Sequence, residues 1–443
     1  MTENDVPNKR GKSLKARNKL LETEVLEAEA TSPEAEIVEK GTRRLRLFSS
    51  LQYPNYRYLW SGALLSNVGT WIQTVALGWF VFQITRSEFL LGLVNFTSSL
   101  PTFFLALVGG AVADRYEKRA LLIISQAILM LLAFLLGILI SLNLASVIII
   151  ILISLVAGIA SSFNFPAWQA LIPELVPRKD LMNAVALNSA QFNAARLIGP
   201  AIAGIIIAQL GVSYPFYINA ISFLAVIIAL ALVKPHPTVK HEISANVWQN
   251  IVDGINYVRS KASTATLLIA VGMLTVFGMS HTVLIPVYAD VILNVGPSGL
   301  GYLVAASGLG AVFGALLVAS LSHTVDRRSL IKTGILSYSI FLFIFALSKI
   351  FIVSLIAQAG IGISFLVAIS SSNTSLQDAT PSKIRGRVMS LFVWAFIGIY
   401  PIGSFLVGSV AQLISSPAAL VINSIILLIT SAVLYIRKDL LEA

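Results

Sequence analysis

Twelve long apolar runs, parted by short polar stretches, constrain this chain more than any other feature. They fall near 58–84, 88–112, 120–141, 144–172, 184–210, 213–233, 264–289, 297–321, 330–348, 351–376, 388–412 and 416–436. Each is 19 to 29 residues long. A helix of that length crosses the ~30 Å hydrocarbon core of a bilayer, with tilt for the longer ones. Membrane strands are shorter and alternate apolar with polar residues, so continuous runs of this length exclude them. The expectation is an all-α polytopic membrane protein with twelve transmembrane helices.

Composition agrees. Hydrophobic residues make up 56% of the chain and charged residues 12%, about half the share in a soluble domain, and the mean hydropathy is +0.84. The net charge of +10 does not point to nucleic acid, because the basic residues sit in short clusters between apolar runs, which is a topology signal. There is no cysteine, so thiol catalysis, disulfides and cysteine-ligated metals are excluded. The start, Met1-Thr-Glu-Asn-Asp5, is polar and lacks the design of a cleaved signal peptide.

Residues 1–56 read as a polar, mostly disordered cytoplasmic tail, with ten Lys/Arg and nine Asp/Glu in 1–46. With that tail inside, 28 of the 31 Lys and Arg fall on the cytoplasmic side and two, Arg86 and Lys349, outside. That bias predicts both termini in the cytoplasm and a multi-pass protein of the inner (plasma) membrane. The one long interior connection, 234–263, carries an amphipathic stretch from Val247 to Val258 that reads as a helix on the inner membrane face. It divides the chain into 57–233 and 264–436, six runs each, leaving 437–443 as a short cytoplasmic tail.

The two parts repeat one another. Asp114-Arg115 follows the second run and Asp326-Arg327 the eighth. At an offset of 204, Glu174, Pro177, Lys179, Leu187, Gly199 and Gly204 align with Asp378, Pro381, Lys383, Leu391, Gly403 and Gly408. Two like halves about an axis along the membrane normal leave a cleft that can open alternately to each side.

Within the fifth run, Arg196 is the thirty-first basic residue and the one charge deep inside any run. It lies about twelve residues, roughly 18 Å, from the start of its run, near the midplane. Ser189, Asn193, Arg196 and Pro200 step by four, three and four residues, along one helix face. Pro200 has no N–H for the carbonyl of Arg196, so a bend is expected there, with Gly199, Pro200 and Gly204 as a hinge. A charge at this depth costs several kcal/mol, and a functional role is the default. It can bind an anionic or carbonyl-rich substrate or respond to proton loading. The structural alternative is an arginine held by Asn193, by helix-end carbonyls or by the other half.

The loop Gly109-Gly110-Ala-Val-Ala-Asp114-Arg115-Tyr-Glu-Lys118-Arg119 resembles the cytoplasmic signature of the major facilitator superfamily, with Glu117 in place of the usual second glycine. Asp326-Arg327 keeps the charged pair in the second half. Gly199-Pro200-Ala-Ile-Ala203-Gly204 resembles the span-five antiporter signature of that superfamily, with Ala203 where a glycine is usual. Together with Asn164-Phe-Pro-Ala-Trp168, the stretch 188–204 is similar to the enterobactin-exporter and macrolide-efflux branch. The resemblance implies a secondary transporter exporting a small amphipathic molecule of the drug or siderophore class, working as a monomer by alternating access and by proton antiport. It implies a cytoplasmic gate at Gly110, Asp114, Arg115, Lys118, Arg119, Asp326 and Arg327. It also implies a cleft lined by spans one, four, seven and ten, which offer Asn67, Gln73, Asn164, Trp168, His281 and Asn373 beside Arg196 and Asn193. For any one of these residues, ordinary helix packing is the alternative.

The first and fourth runs hold no carboxylate. The candidates for proton coupling are therefore His281, which titrates in the useful range, Asp290, Glu174 and Asp114. The eighth run carries Gly310 and Gly314, spaced for close helix contact and expected at a rocking interface. No paired carboxylates, Ser/His/Asp set, metal-ligand spacing or phosphate-cradling loop appears, so no enzyme, cofactor, metal or nucleotide-driven pump is expected. A lipid flippase or an uptake porter on the same scaffold remains open.

Overall fold

The structure is a computed structural model and describes residues 43–233, 247–321 and 324–437; side chains of 43–47, 106–115, Phe165 and 247–248 are outside the description. Among the described residues it is helical and holds no strand. A 3-10 segment, Arg43–Gln52, leads into α1 (Pro54–Thr85), α2 (Glu88–Arg115), α3 (Lys118–Ser141), α4 (Val147–Leu171), α5 (Leu181–Leu210) and α6 (Tyr214–Leu232). The amphipathic α7 (Val247–Ser260) follows. Then come α8 (Ala262–Ile292), α9 (Gly296–Leu321), α10 (Arg327–Leu347), α11 (Phe351–Ala379), α12 (Ser382–Leu413) and α13 (Ser416–Ile436).

Eleven of these helices are long and apolar enough to cross a membrane. α1 is 32 residues long, but Ser66, Asn67, Thr70, Gln73 and Thr74 dilute its apolar character and it falls outside the eleven. The outer surface is apolar. Leu131, Ile148, Leu316 and Ile352 are each more than 60% exposed, a surface that only lipid covers stably. Local chemistry sets the helix ends. Ser146 and Ser415 cap α4 and α13 by accepting from Ile149 and Ala418 N–H groups. Pro54, Pro215 and Pro417 occupy first-turn positions, where no N–H is needed.

The same helix pairs form twice. α2 packs on α4 as α9 on α11, α3 on α4 as α10 on α11, and α3 on α6 as α10 on α13. Small residues make these approaches possible. A Cβ at Gly158 on α4 would lie 2.1 Å from the Ser98 carbonyl on α2, and one at Gly362 on α11 would lie 2.0 Å from the Ser307 carbonyl on α9. The two sets of six meet along two seams, α5 on α9 and α2 on α12. In the first seam Gly204 meets Gly301, and in the second Gly408 meets Gly92, in each case backbone to backbone.

Two expectations change here. Gly310 and Gly314 face Ala359 and Ile363 of α11, inside one set, because the neighbouring face of α9, with Gly301 and Gly308, is the one turned to α5. The seventh run is not one regular helix. α8 passes from α-helix (Ala262–Met273) through a π-turn (Leu274–Gly278), a 3-10 stretch (Met279–Leu284) and a short α-helix (Ile285–Val287) to a second π-turn (Tyr288–Ile292). Pro286, near the far end of the run, supplies no N–H to the ladder just after the 3-10 stretch, and that is the one local sequence signal for a break.

Candidate functional site

Arg196 projects from α5 into the region where the two sets meet. Its guanidinium carbon lies 6.0 Å from the centre of the Trp71 ring on α1 and 5.9 Å from that of Phe365 on α11. Nη2 also donates to the Ser307 hydroxyl of α9 at 3.5 Å. The cation therefore sits between one aromatic face from each set, and none of the described ion pairs involves it. Cation–π contacts of this kind hold a guanidinium without neutralising it. Gly199 is what lets Trp71 approach, since a Cβ there would come within 2.6 Å of the Trp71 Cβ. Phe192 packs edge-on against the same indole at 6.3 Å.

The stretch around Pro200 is a seam as well as a candidate hinge. α5 remains helical through Pro200. The Arg196 carbonyl, which has no N–H at position 200, is turned to α9, where a Cβ at Gly308 would stand 2.9 Å from it. Gly301 lies under the Pro200 carbonyl in the same way, and Gly204 under Pro297 and Ser298.

The other expected residues divide. Asn193 donates to the Ser189 carbonyl at 2.9 Å, so it does not hold Arg196. Gln73 accepts from Asn219 of α6 at 2.7 Å, and Trp168 donates to Asn188 at 3.1 Å; both tie helices together inside the first set. Asn67 and Asn164 are partly buried. Asn373 accepts from Gln377 one turn on. His281 lies in the 3-10 stretch of α8 and is 2% exposed, bonded to Gly278, Gln358 and Tyr338. Ser307, Tyr338, Gln358 and Phe365 carried no signal in the sequence, because nothing local distinguishes them from packing residues.

The ends of the bundle differ. At the basic end, the pairs stay within a set. Lys118 at the start of α3 pairs with Glu174 just after α4, and Arg327 at the start of α10 pairs with Asp378 at the end of α11. Arg119 donates to the Ala231 carbonyl at 2.8 Å, closing the end of α6, and Asp326 caps α10. The backbone of Gly110, Asp114 and Arg115 belongs to α2; their side chains lie outside the described residues. A cavity of about 430 Å³ opens at this end, lined by Ser263, Asp326, Arg327, Arg328, Ser375 and Asp378. At the opposite end the contacts cross between sets. Arg86, in the α1–α2 turn, pairs with Asp290 of α8. Gln83 donates to Asp290 at 3.0 Å and accepts from Arg86 at 2.9 Å. Gln412 accepts from Ser87 at 2.7 Å, and Ser416 reaches Glu88 at 3.4 Å. Arg86 holds the left-handed conformation, φ 50°, which aims its side chain at Asp290 at a modest backbone cost.

Residues 46–442 match the transmembrane secretion effector family of the major facilitator superfamily. The chain belongs to this family. Relatives in the drug and siderophore branch include the staphyloferrin A transporter of Staphylococcus aureus (strain NCTC 8325 / PS 47), 26% identical over 359 residues, 81% of this chain and 89% of that protein. The enterobactin exporter EntS of Escherichia coli O1:K1 / APEC is 26% identical over 373 residues, 83% and 88% of the two chains. The multidrug efflux pump Tap of Mycolicibacterium fortuitum is 25% identical over 365 residues, 79% and 87%. The fold is that of solved superfamily transporters. The nucleoside transporter NupG superposes with a TM-score of 0.66 at 14% identity, over 88% of this chain and 99% of that one. A bacterial homologue of the lysosomal transporter Spinster, inward-facing and unoccupied, superposes with 0.67 at 13% identity, over 88% and 98%. The secretion effector described here is thus a multi-pass membrane transporter of the inner membrane with a small-molecule substrate.

Proposed function

We propose that this chain is a secondary active exporter of a small amphipathic molecule of the drug or siderophore class, working as a single chain by alternating access and driven by proton antiport. In this reading α1 is the twelfth membrane span, 57–233 and 264–436 are the two rocking halves, and 234–263 is the cytoplasmic linker. Both termini are cytoplasmic, so the basic end faces the cell interior and the closed end faces outside. The arrangement is then inward-open, ready to load from the cytoplasm, with the Arg86–Asp290 latch shut.

The observation that carries the proposal is the placement of Arg196. An unneutralised cation at mid-depth, between Trp71 of one half and Phe365 of the other, offers an anionic or carbonyl-rich group a charge, and an apolar ring system two faces. A ligand there touches both halves, which is the requirement for substrate to bias their relative position. The relatives that transport staphyloferrin A, enterobactin and drugs support the substrate class and the outward direction.

The test is efflux from cells stripped of their own exporters, with a panel of siderophores and amphipathic drugs, wild type against Arg196→Ala. Ligands from the same panel should also raise the melting temperature of the purified protein. Normal efflux by the Ala variant would remove Arg196 from the site. Accumulation instead of efflux would reverse the direction.

A further inference from the structure

His281 has a hydrogen-bond shell that suits two charge states. Its Nδ1 is 2.8 Å from the Gly278 carbonyl oxygen, which can only accept, so Nδ1 carries a proton. The Tyr338 hydroxyl oxygen stands 3.1 Å from the same nitrogen and accepts as a second, weaker partner. On the other side of the ring, Nε2 faces Gln358 Oε1 at 3.3 Å. The buried Gln358 Nε2 has no partner at all. An amide presents either oxygen or NH₂ after half a turn about one bond. With oxygen toward the ring, Nε2 must donate and the imidazole is a cation. With NH₂ toward the ring, Nε2 accepts, the imidazole is neutral, and the amide oxygen takes the unpartnered place of the nitrogen. One amide rotation therefore satisfies the buried ring with or without the second proton.

The surroundings tie this ring to the arginine. The titratable and charged groups facing His281 are Tyr338 on α10 and, through space, Arg196 on α5. Phe345 packs edge-on at 6.3 Å, and the adjacent Ser280 is held by Asn423 of α13 at 3.3 Å. None of the described ion pairs reaches the ring. The Tyr338 ring lies 6.3 Å from Phe365, the ring that carries the Arg196 guanidinium. An imidazolium at position 281 and the guanidinium thus face each other across two aromatic rings in a medium of low dielectric. His281 also sits in the stretch where α8 leaves regular helix, between two π-turns.

We propose that His281 is the proton-binding site of this transporter, with Gln358 as the amide that turns to accept from the charged ring and donate to the neutral one, and with Tyr338 and Phe365 setting that site against Arg196. Any ligand that neutralises Arg196 then alters proton binding at His281, and the proton alters ligand binding by the same factor. This rests on the proton-coupled reading above for its physiological role, although proton binding is measurable without a substrate.

The experiment is ¹⁵N NMR of histidine-labelled full-length protein in lipid nanodiscs between pH 5 and 9. The chain has four histidines, and His281→Gln identifies the signals by their loss. The expected result is that His281 passes from one protonated nitrogen to two within this range. Gln358→Glu should move the midpoint up, and Gln358→Leu down, by about one pH unit each, the scale of one strong partner. Arg196→Ala should also move it up. A wild-type His281 that keeps one protonated nitrogen throughout, unchanged by Gln358→Glu, would overturn the proposal and leave a packing histidine. The wild-type titration needs no folded variant beyond the assignment. If efflux fails on every panel compound while His281 titrates as described, the export reading falls and the proton site stands. If efflux persists with a silent His281, the proton site alone falls.

Discussion

The first six helices and the last six repeat one plan, and they differ in how regular they are. The shared plan extends to single contacts. Lys118–Glu174 corresponds to Arg327–Asp378. The Gly204–Gly301 seam corresponds to Gly408–Gly92, and Gly158 on Ser98 to Gly362 on Ser307. In every case the residues on α4 and α5 are 204 positions from their counterparts, and those on α2 and α3 are 209 from theirs. What is not shared lies along two helices. α1 and α5 are single α-helices of 32 and 30 residues. Their counterparts are interrupted, α8 by two π-turns and a 3-10 stretch and α12 by a π-turn at Trp394–Gly398. Where α5 has Arg196 and Pro200, α12 has Tyr400 and Ser404. The regular half holds the fixed charge, and the interrupted half holds the histidine. Because π-turns are frequent at functional sites, the division sets the charge of Arg196 on regular helix and the irregular turns on its partner.

The comparison is most exposed to Arg196→Ala, which should cut efflux by tenfold or more while leaving the melting temperature within a few degrees. Arg196→Lys keeps the charge but loses the planar stacking and should fall between. An Ala variant that misfolds would instead make Arg196 part of the frame. Next in size are two glycine substitutions. Gly301→Val forces the α5–α9 seam apart and should lower transport severalfold with little loss of stability. Gly314→Val, within one half, should lower stability by about 1–3 kcal/mol and disturb transport only through that loss. Equal effects in a paired efflux and thermal-melt assay would erase the distinction between seam and interior.

Asp290→Asn breaks the latch between halves. The pair is partly exposed, so the expected effect is modest, up to about 1 kcal/mol or roughly fivefold in the open-to-closed ratio. The chain has no cysteine, so two introduced cysteines beside Arg86 and Asp290 can carry spin labels without background, and the distance distribution should gain a longer component. An unchanged distribution would make the pair incidental. The smallest effect concerns the 3-10 segment, where Tyr53 donates to Asp180 at 2.7 Å and Ser49 does so at 2.8 Å. Accepting that bond, the Asp180 carboxylate raises the phenol above its ordinary 10.0. A raised acid contributes stability that is full below pH 10 and lost as pH rises through the higher folded value. Alkaline solution should therefore loosen this segment in wild type and not in Tyr53→Phe, as read by protease cutting near Phe48.

Much of the fold was legible because membrane helices announce themselves by length and apolarity, and the duplication by spaced glycines and charges. Arg196 was legible because a charge in an apolar run has no bland neighbours to hide among. Its setting was not. Phe365 and Ser307 reach Arg196 from 169 and 111 positions away, and an apolar run looks the same whichever of its phenylalanines meets a cation. The interruption of α8 was missed for a related reason. Hydropathy records burial and ignores backbone hydrogen bonds, so only Pro286 hinted at it. Asn193 and Gln73 are bonded within the first set, and sequence alone does not show whether an amide in a span serves its own helix, its neighbour or a ligand.

The seams between the halves are built from main chain meeting main chain at Gly92, Gly204, Gly301 and Gly408. A seam of that kind makes no demand on the side chains lining the space beside it. Those side chains can change one residue at a time while the seams keep their fit. Relatives that handle a siderophore and relatives that handle drugs, each sharing about a quarter of their residues with this chain, are what such a separation would leave behind.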